Sequence, residues 1–198
     1  MSPGGTILVT GGVGSGKSTV CSWLRTRGVP VYDCDSAAKE IYSRYPSVVE
    51  RLEEVLCSPL RLPDGSLDRP HLASVVFSDP SRLAALEAIV HPLVLEDFRC
   101  WRECTGSPIV VMESAIAFSK PLFQGEFDAI VLVDAPVDKR VERFCTRSGS
   151  SREDALARIA SQSLPTGGVD EVIVNDSSLE DLYARCEEVF GRIMVRWT

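Results

Sequence analysis

The chain has 198 residues, 44% of them apolar, and a formal net charge of −7. That length suits one compact α/β domain with a small insertion, and the acidic balance, without a dense Lys/Arg block, excludes the basic stripe of a nucleic-acid binder. No apolar run approaches the roughly 20 residues that cross a bilayer, and the first residues carry no signal pattern. The expectation is a cytoplasmic protein with no membrane, nucleic-acid or obligate protein partner. The seven cysteines are an odd number and mostly scattered singly, which reads as reduced thiols, mostly buried.

In chain order, residues 6–10 (TILVT) form an apolar strand. Gly11-Gly12-Val13-Gly14-Ser15-Gly16-Lys17-Ser18 follows, a complete G-x-x-x-x-G-K-[ST] loop, and a helix-like stretch covers 19–27. Strand, glycine loop and helix are the setting in which this motif binds phosphate. A second strand is predicted over 29–32, leading to Asp33-Cys34-Asp35. Residues 36–105 contain no convincing strand. Helical patterns run from Ser36 as a cap to Tyr42, then over 47–56, 70–77, 80–90 and 92–104. Pro70, Pro80 and Pro92 sit where a first helical turn tolerates a missing N–H. Pro63-Asp64-Gly65-Ser66 is a turn signal.

Strands resume at 109–112 and 129–133, each nearly all apolar, as befits strands covered on both faces. Glu113 and Asp134 close them. Residues 136–163 are a second helical excursion. Arg140, Arg143 and Arg147 recur at helical spacing, a Ser/Gly break follows at 148–151, and Ser151 with Asp154 resembles a capping box. A fifth strand is expected at 172–174, and Ser177 with Glu180 opens the last helix. Alternating strands and helices predict an α/β fold of P-loop NTPase type. It has a parallel five-stranded sheet flanked by helices, residues 6–10 near its centre, and a helical insertion and a helical lid. Ligands then sit at the carboxyl ends of the strands.

The chemistry follows from the loop. Gly12, Val13, Gly14, Ser15, Gly16, Lys17, Ser18 and Thr19 are expected to hold the phosphates of a nucleoside triphosphate. Glycines let backbone N–H groups approach the oxygens, and the helix N-terminus adds positive potential. Lys17 reaches the β- and γ-phosphates, and the Ser18 hydroxyl is a ligand for Mg²⁺. Asp33 and Asp35, with alternating side-chain direction in a strand, both point toward that site. They suit proton removal from an acceptor hydroxyl and metal binding, so Asp35 is placed beside Ser18 as a metal ligand. The arginine stripe suits a lid that excludes water and stabilises the moving phosphoryl group. Arg143 and Arg147 are its nucleotide-binding members. A small-molecule kinase and a nucleotide-driven switch or motor both start from this loop. The second class lacks its markers, since neither N-K-x-D nor L-S-G-G-Q occurs.

The whole pattern resembles the dephospho-coenzyme A kinase family. T-G-G-[IV]-G-S-G-K-S is matched by residues 10–18, and D-x-D by Asp33-Cys34-Asp35. D-G-x-L-[DN]-R is matched by Asp64-Gly65-Ser66-Leu67-Asp68-Arg69, and Leu-Glu-x-[IL]-x-His-Pro by residues 86–92. The lid pattern matches Arg143, Arg147, Arg158-Ile159 and Gln162. D-x-x-I-x-N matches Asp170, Ile173 and Asn175. The resemblance implies transfer of the γ-phosphoryl of ATP to the ribose 3′-hydroxyl of dephospho-CoA, with Mg²⁺, in the cytoplasm. Another nucleotide or small-metabolite kinase is the alternative.

The resemblance also implies roles and a layout. Asp35 is the general base, Lys17 and Arg143 complete the catalytic set, and Asp33, Arg69, His91, Pro92 and Glu113 bind the acceptor. The core comprises about 1–35, 106–136 and 164–198, the acceptor-binding insertion about 36–105, and the lid about 137–163. Two departures stand out. Many members carry P-L-L-[FY]-E where this chain reads Glu113-Ser114-Ala115-Ile116-Ala117-Phe118-Ser119. A basic residue common between Gln162 and Asp170 is also missing.

Overall fold

A computed structural model describes residues 4–162, 164, 165 and 167–197. Part of the glycine-bearing stretch that lacks the basic residue, Ser163 and Thr166, lies outside them. The chain divides into two compact units. One is the chain up to Asp33 with everything from Thr105 onward, and the other is Cys34–Cys104.

The first unit is built on a five-stranded sheet in the order β2-β3-β1-β4-β5, all pairs parallel. The strands are β1 (Gly5–Thr10), β2 (Val31–Asp33), β3 (Ile109–Glu113), β4 (Ala129–Asp134) and β5 (Glu171–Val174). Every residue of β1 and β3 is buried, as their apolar runs require of strands covered on both faces. Helices α1 (Lys17–Thr26) and α8 (Leu179–Met194) bury Val20, Trp23, Leu24, Cys186 and Phe190 against Ile7, Val9 and Val131. The Trp23 and Phe190 rings lie 5.9 Å apart, and Arg27 covers the outer face of Trp23. Between β4 and β5 lie α6 (Val137–Ser148) and α7 (Arg152–Ala160). Gly149 ends α6, and Ser151 caps α7 by accepting from the Asp154 N–H. The capping box of α8 is Ser178 with Asp181, one residue beyond the expected Ser177 and Glu180, because the shorter aspartate also closes the reciprocal bond.

The second unit holds α2 (Cys34–Arg44), α3 (Pro46–Leu56), α4 (Arg69–Phe77) and α5 (Pro80–Thr105, whose last residue enters the first unit). The Asp68 carboxylate caps α4 by accepting from the His71 N–H, and Arg44 pairs with Asp97 to tie α2 to α5. The Pro63–Ser66 signal is a real turn, closed by Leu62 and Ser66 at 2.8 Å.

Four expectations are corrected here. Helix α5 is continuous through Pro92, so Pro92 opens no helix and His91 ends none. A proline inside a helix loses one hydrogen bond and kinks the chain without necessarily breaking it. Strand β2 stops at Asp33 and α2 begins at once, so Asp35 stands in a first helical turn and the strand alternation that would align the two aspartates does not reach it. Ser36 is inside that helix. The seven cysteines are free thiols, as expected, but fewer are buried than expected: Cys21, Cys34 and Cys186 are, whereas Cys57, Cys100 and Cys104 are exposed.

Candidate active site

The phosphate loop leaves β1 and enters α1 at the carboxyl edge of the sheet. One of its carbonyl oxygens is held from within the loop and three from outside it. The Gly12 oxygen accepts from Lys17 Nζ (3.3 Å) and the Ser15 N–H (3.2 Å). Those of Val13, Gly14 and Ser15 accept from Arg140 Nε (3.0 Å), Arg143 Nη1 (3.3 Å) and Asn175 Nδ2 (2.8 Å). In a planar trans peptide the C=O and the next N–H point opposite ways. With the Val13 and Ser15 carbonyls turned to Arg140 and Asn175, the Gly14 and Gly16 N–H groups point away from those side chains, and donors so directed suit a phosphate. Gly16 precedes α1 with φ of 102°, and a Cβ there would strike the Asn175 amide. Only glycine fits that position. Thr19 and Val20 donate to the Gly16 oxygen and start the helix, whose positive end faces the loop.

Ser18 Oγ donates to Glu113 Oε1 at 2.7 Å. Glu113 closes β3 with 8% of its surface exposed and is in register with Asp33 on β2. Burial, and then the Glu113 carboxylate, which also accepts from the thiol, pushes Cys21 far above the usual thiol range. Two hydroxyl oxygens of this region, those of Thr10 and Ser15, are buried without a hydrogen-bond partner among the described residues, as is that of Thr6 near the start of β1.

The arginine stripe separates by depth. Arg140 is 4% exposed, Arg143 half-buried and Arg147 exposed. Arg143 also donates through Nη2 to the Asn175 side-chain oxygen (3.1 Å), so its guanidinium grips the back of the loop. With Lys139, Glu142 and Thr146, Arg143 and Arg147 line a groove of about 390 Å³.

Within the second unit, Tyr42, Arg61, Asp64, Leu67 and Arg69 line a cavity of about 540 Å³. Asp64 accepts from the Ser66 N–H and hydroxyl, which hold its carboxyl below the usual range. Arg69 donates to the Lys39 carbonyl (2.9 Å). Pro92 instead lines a separate groove with Ser47, Glu54 and Ile89. The structure thus brings Arg69 together with the Asp64 turn but not with Pro92, which α5 carries to another surface. Asp35 is exposed in α2.

Arg140, Gln162 and Asn175 are absent from the expected site set, although the loop's shape depends on them. Their signals were faint. Arg140 shares a spacing with two other arginines, and Gln162 and Asn175 were letters of longer patterns, with nothing local to say that they meet residues 13–16.

A parallel sheet with a glycine loop at its carboxyl edge, a lysine on that loop and a helix starting from it define a P-loop kinase fold. The match to known proteins is specific. A family described as dephospho-CoA kinase aligns with residues 6–181. A dephospho-CoA kinase of Porphyromonas gingivalis is 41% identical over 86% of this chain and 85% of its own length. One of Thermus thermophilus is 39% identical over 94% and 91%. The solved structure of the Thermus thermophilus protein TT1252 superposes with a TM-score of 0.82 at 38% identity, covering 98% of each chain. A Campylobacter jejuni dephospho-CoA kinase at 20% identity shares the fold, with a TM-score of 0.61. The chain belongs to the dephospho-CoA kinase family.

Proposed function

We propose that this protein transfers the γ-phosphoryl group of ATP to the ribose 3′-hydroxyl of dephospho-CoA, yielding CoA, the last step in making that coenzyme. Family membership across residues 6–181 carries the reading. The phosphate loop supports it, because its carbonyls turned to Arg140 and Asn175 leave N–H donors pointing the other way, as suits a nucleotide's phosphates. The alternative, another nucleotide or small-metabolite kinase on the same scaffold, has only the altered Glu113–Ser119 segment behind it and is not favoured.

In this reading Lys17 neutralises charge on the β- and γ-phosphates. Asp35 takes the proton of the attacking hydroxyl, raising its nucleophilicity as the bond to phosphorus forms. Magnesium fits the Ser18–Glu113 pair, two hard oxygen donors at the foot of the loop, with Asp35 the further ligand proposed from the motif. When bound, it neutralises phosphate charge. Arg143 and Arg147 belong to a lid over about 137–163. The insertion of about 36–105 takes the acceptor through Arg69 and the Asp64 turn, with His91, Pro92, Asp33 and Glu113 as further candidates. A cytoplasmic setting is part of the proposal. Among the described residues no helix is long and apolar enough to cross a membrane.

The deciding experiment incubates the protein with Mg-ATP and dephospho-CoA and follows CoA by mass. CoA formation at catalytic turnover is expected. Its absence in a folded sample that binds ATP would remove the assignment.

A further inference from the structure

Three hydrogen bonds close a ring around one residue of the phosphate loop. The Val13 N–H donates to Gln162 Oε1 at 2.7 Å, Arg140 Nε donates to the Val13 oxygen at 3.0 Å, and Arg140 Nη2 donates to the same Gln162 oxygen at 3.4 Å. Arg140 comes from α6, and Gln162 lies just past the end of α7. We infer that Arg140 is a positioning residue for phosphoryl transfer: with Gln162 it locks both peptides flanking Val13, so that the Gly14 N–H faces the triphosphate.

Several observations support this beyond the ring itself. Arg140 is 4% exposed, and the described carboxylates make no ion pair with it, Asp134 acting on it only at longer range. A buried arginine held by a backbone oxygen and an amide is costly and is tolerated where it shapes something. The loop is fitted to it, since a Cβ on Gly12 would strike its guanidinium and one on Gly14 its backbone. That makes Gly12 a requirement of close approach to Arg140. Burial, the larger influence, lowers the guanidinium's proton affinity, while Asp134 raises it; the group remains charged at any ordinary pH.

The inference rests on the kinase reading, but its test separates the two. ADP affinity by calorimetry, and KM for Mg-ATP and for acceptor, are measured for wild type, Arg140→Met, Arg140→Lys and Gln162→Leu. Arg140→Met and Gln162→Leu are expected to weaken ADP binding by about tenfold or more, the scale of a buried polar group left unpaired. They should raise the KM for Mg-ATP and lower kcat while the acceptor KM stays within about twofold. Arg140→Lys keeps charge but lacks the fork and should recover less than half of the lost affinity. Full recovery in Arg140→Lys would show that charge alone matters and overturn the positioning role. So would ADP binding within about twofold of wild type in Arg140→Met or, if that variant does not fold, in Gln162→Leu. A wild type that binds ADP but ignores dephospho-CoA would sink the kinase reading and leave the ADP comparison standing.

Discussion

The Asn175 side chain bridges the phosphate loop and Arg143: its Nδ2 donates to the Ser15 carbonyl at 2.8 Å while its Oδ1 accepts from Arg143 Nη2 at 3.1 Å. One buried amide from the end of β5 thus holds the loop and the α6 arginine in a single arrangement. Asn175→Ala would remove the side-chain donor of the Ser15 carbonyl and one acceptor of Arg143, which keeps its bonds to the Gly14 and residue-175 backbone oxygens. We expect a stability loss of about 1–3 kcal/mol in chemical denaturation, with weaker ATP binding. An unchanged midpoint and affinity would show the bridge to be incidental.

Lys17→Ala should nearly abolish turnover in a folded protein. Its ammonium rests on the Gly12 carbonyl at 3.3 Å, outside the apolar core, so its loss removes charge stabilisation rather than packing. The deficit expected is on the order of 3–4 kcal/mol in the transition state. Steady-state kinetics with a circular-dichroism control measures it, and near-normal turnover would remove the loop assignment.

Asp35→Asn should lower kcat by about 10²–10⁴-fold, the usual worth of a general base, with little change in ATP affinity. A mutant that keeps kcat but raises the KM for Mg-ATP would leave Asp35 a metal ligand only and pass the base role to Asp33.

Glu113→Gln should raise the Mg²⁺ concentration needed for half-maximal rate more than it changes acceptor KM. Glu113 accepts the Ser18 hydroxyl at 2.7 Å, and a hard cation held there needs the carboxylate charge. A titration of rate against Mg²⁺ reads the shift. A raised acceptor KM with unchanged magnesium dependence would restore the expectation that Glu113 contacts the acceptor.

In an acceptor panel with Mg-ATP, dephospho-CoA should exceed AMP, adenosine and shikimate in kcat/KM by about 10²-fold or more, because a site built on polar groups penalises analogues that leave them unpaired. AMP turning over best would keep the kinase and discard the acceptor.

The five strands, the loop and the family were legible in the chain because each is local. Apolar runs such as Ile109-Val110-Val111-Met112 announce strands buried on both faces, and eight consecutive residues carry the phosphate loop. Helix ends were less legible. Nothing local says that α5 continues through Pro92, or that β2 turns into α2 between Asp33 and Cys34, since packing sets whether a helix keeps going. The roles of Arg140, Gln162 and Asn175 lay wholly outside reach of the sequence. They meet residues 13–16 across separations of 127, 149 and 160 positions, through hydrogen bonds whose partners are backbone carbonyls and N–H groups that every residue has. A motif names the glycines; only the folded chain, by bringing α6, the segment after α7 and the end of β5 against the loop, decides which side chains turn its peptides toward a phosphate.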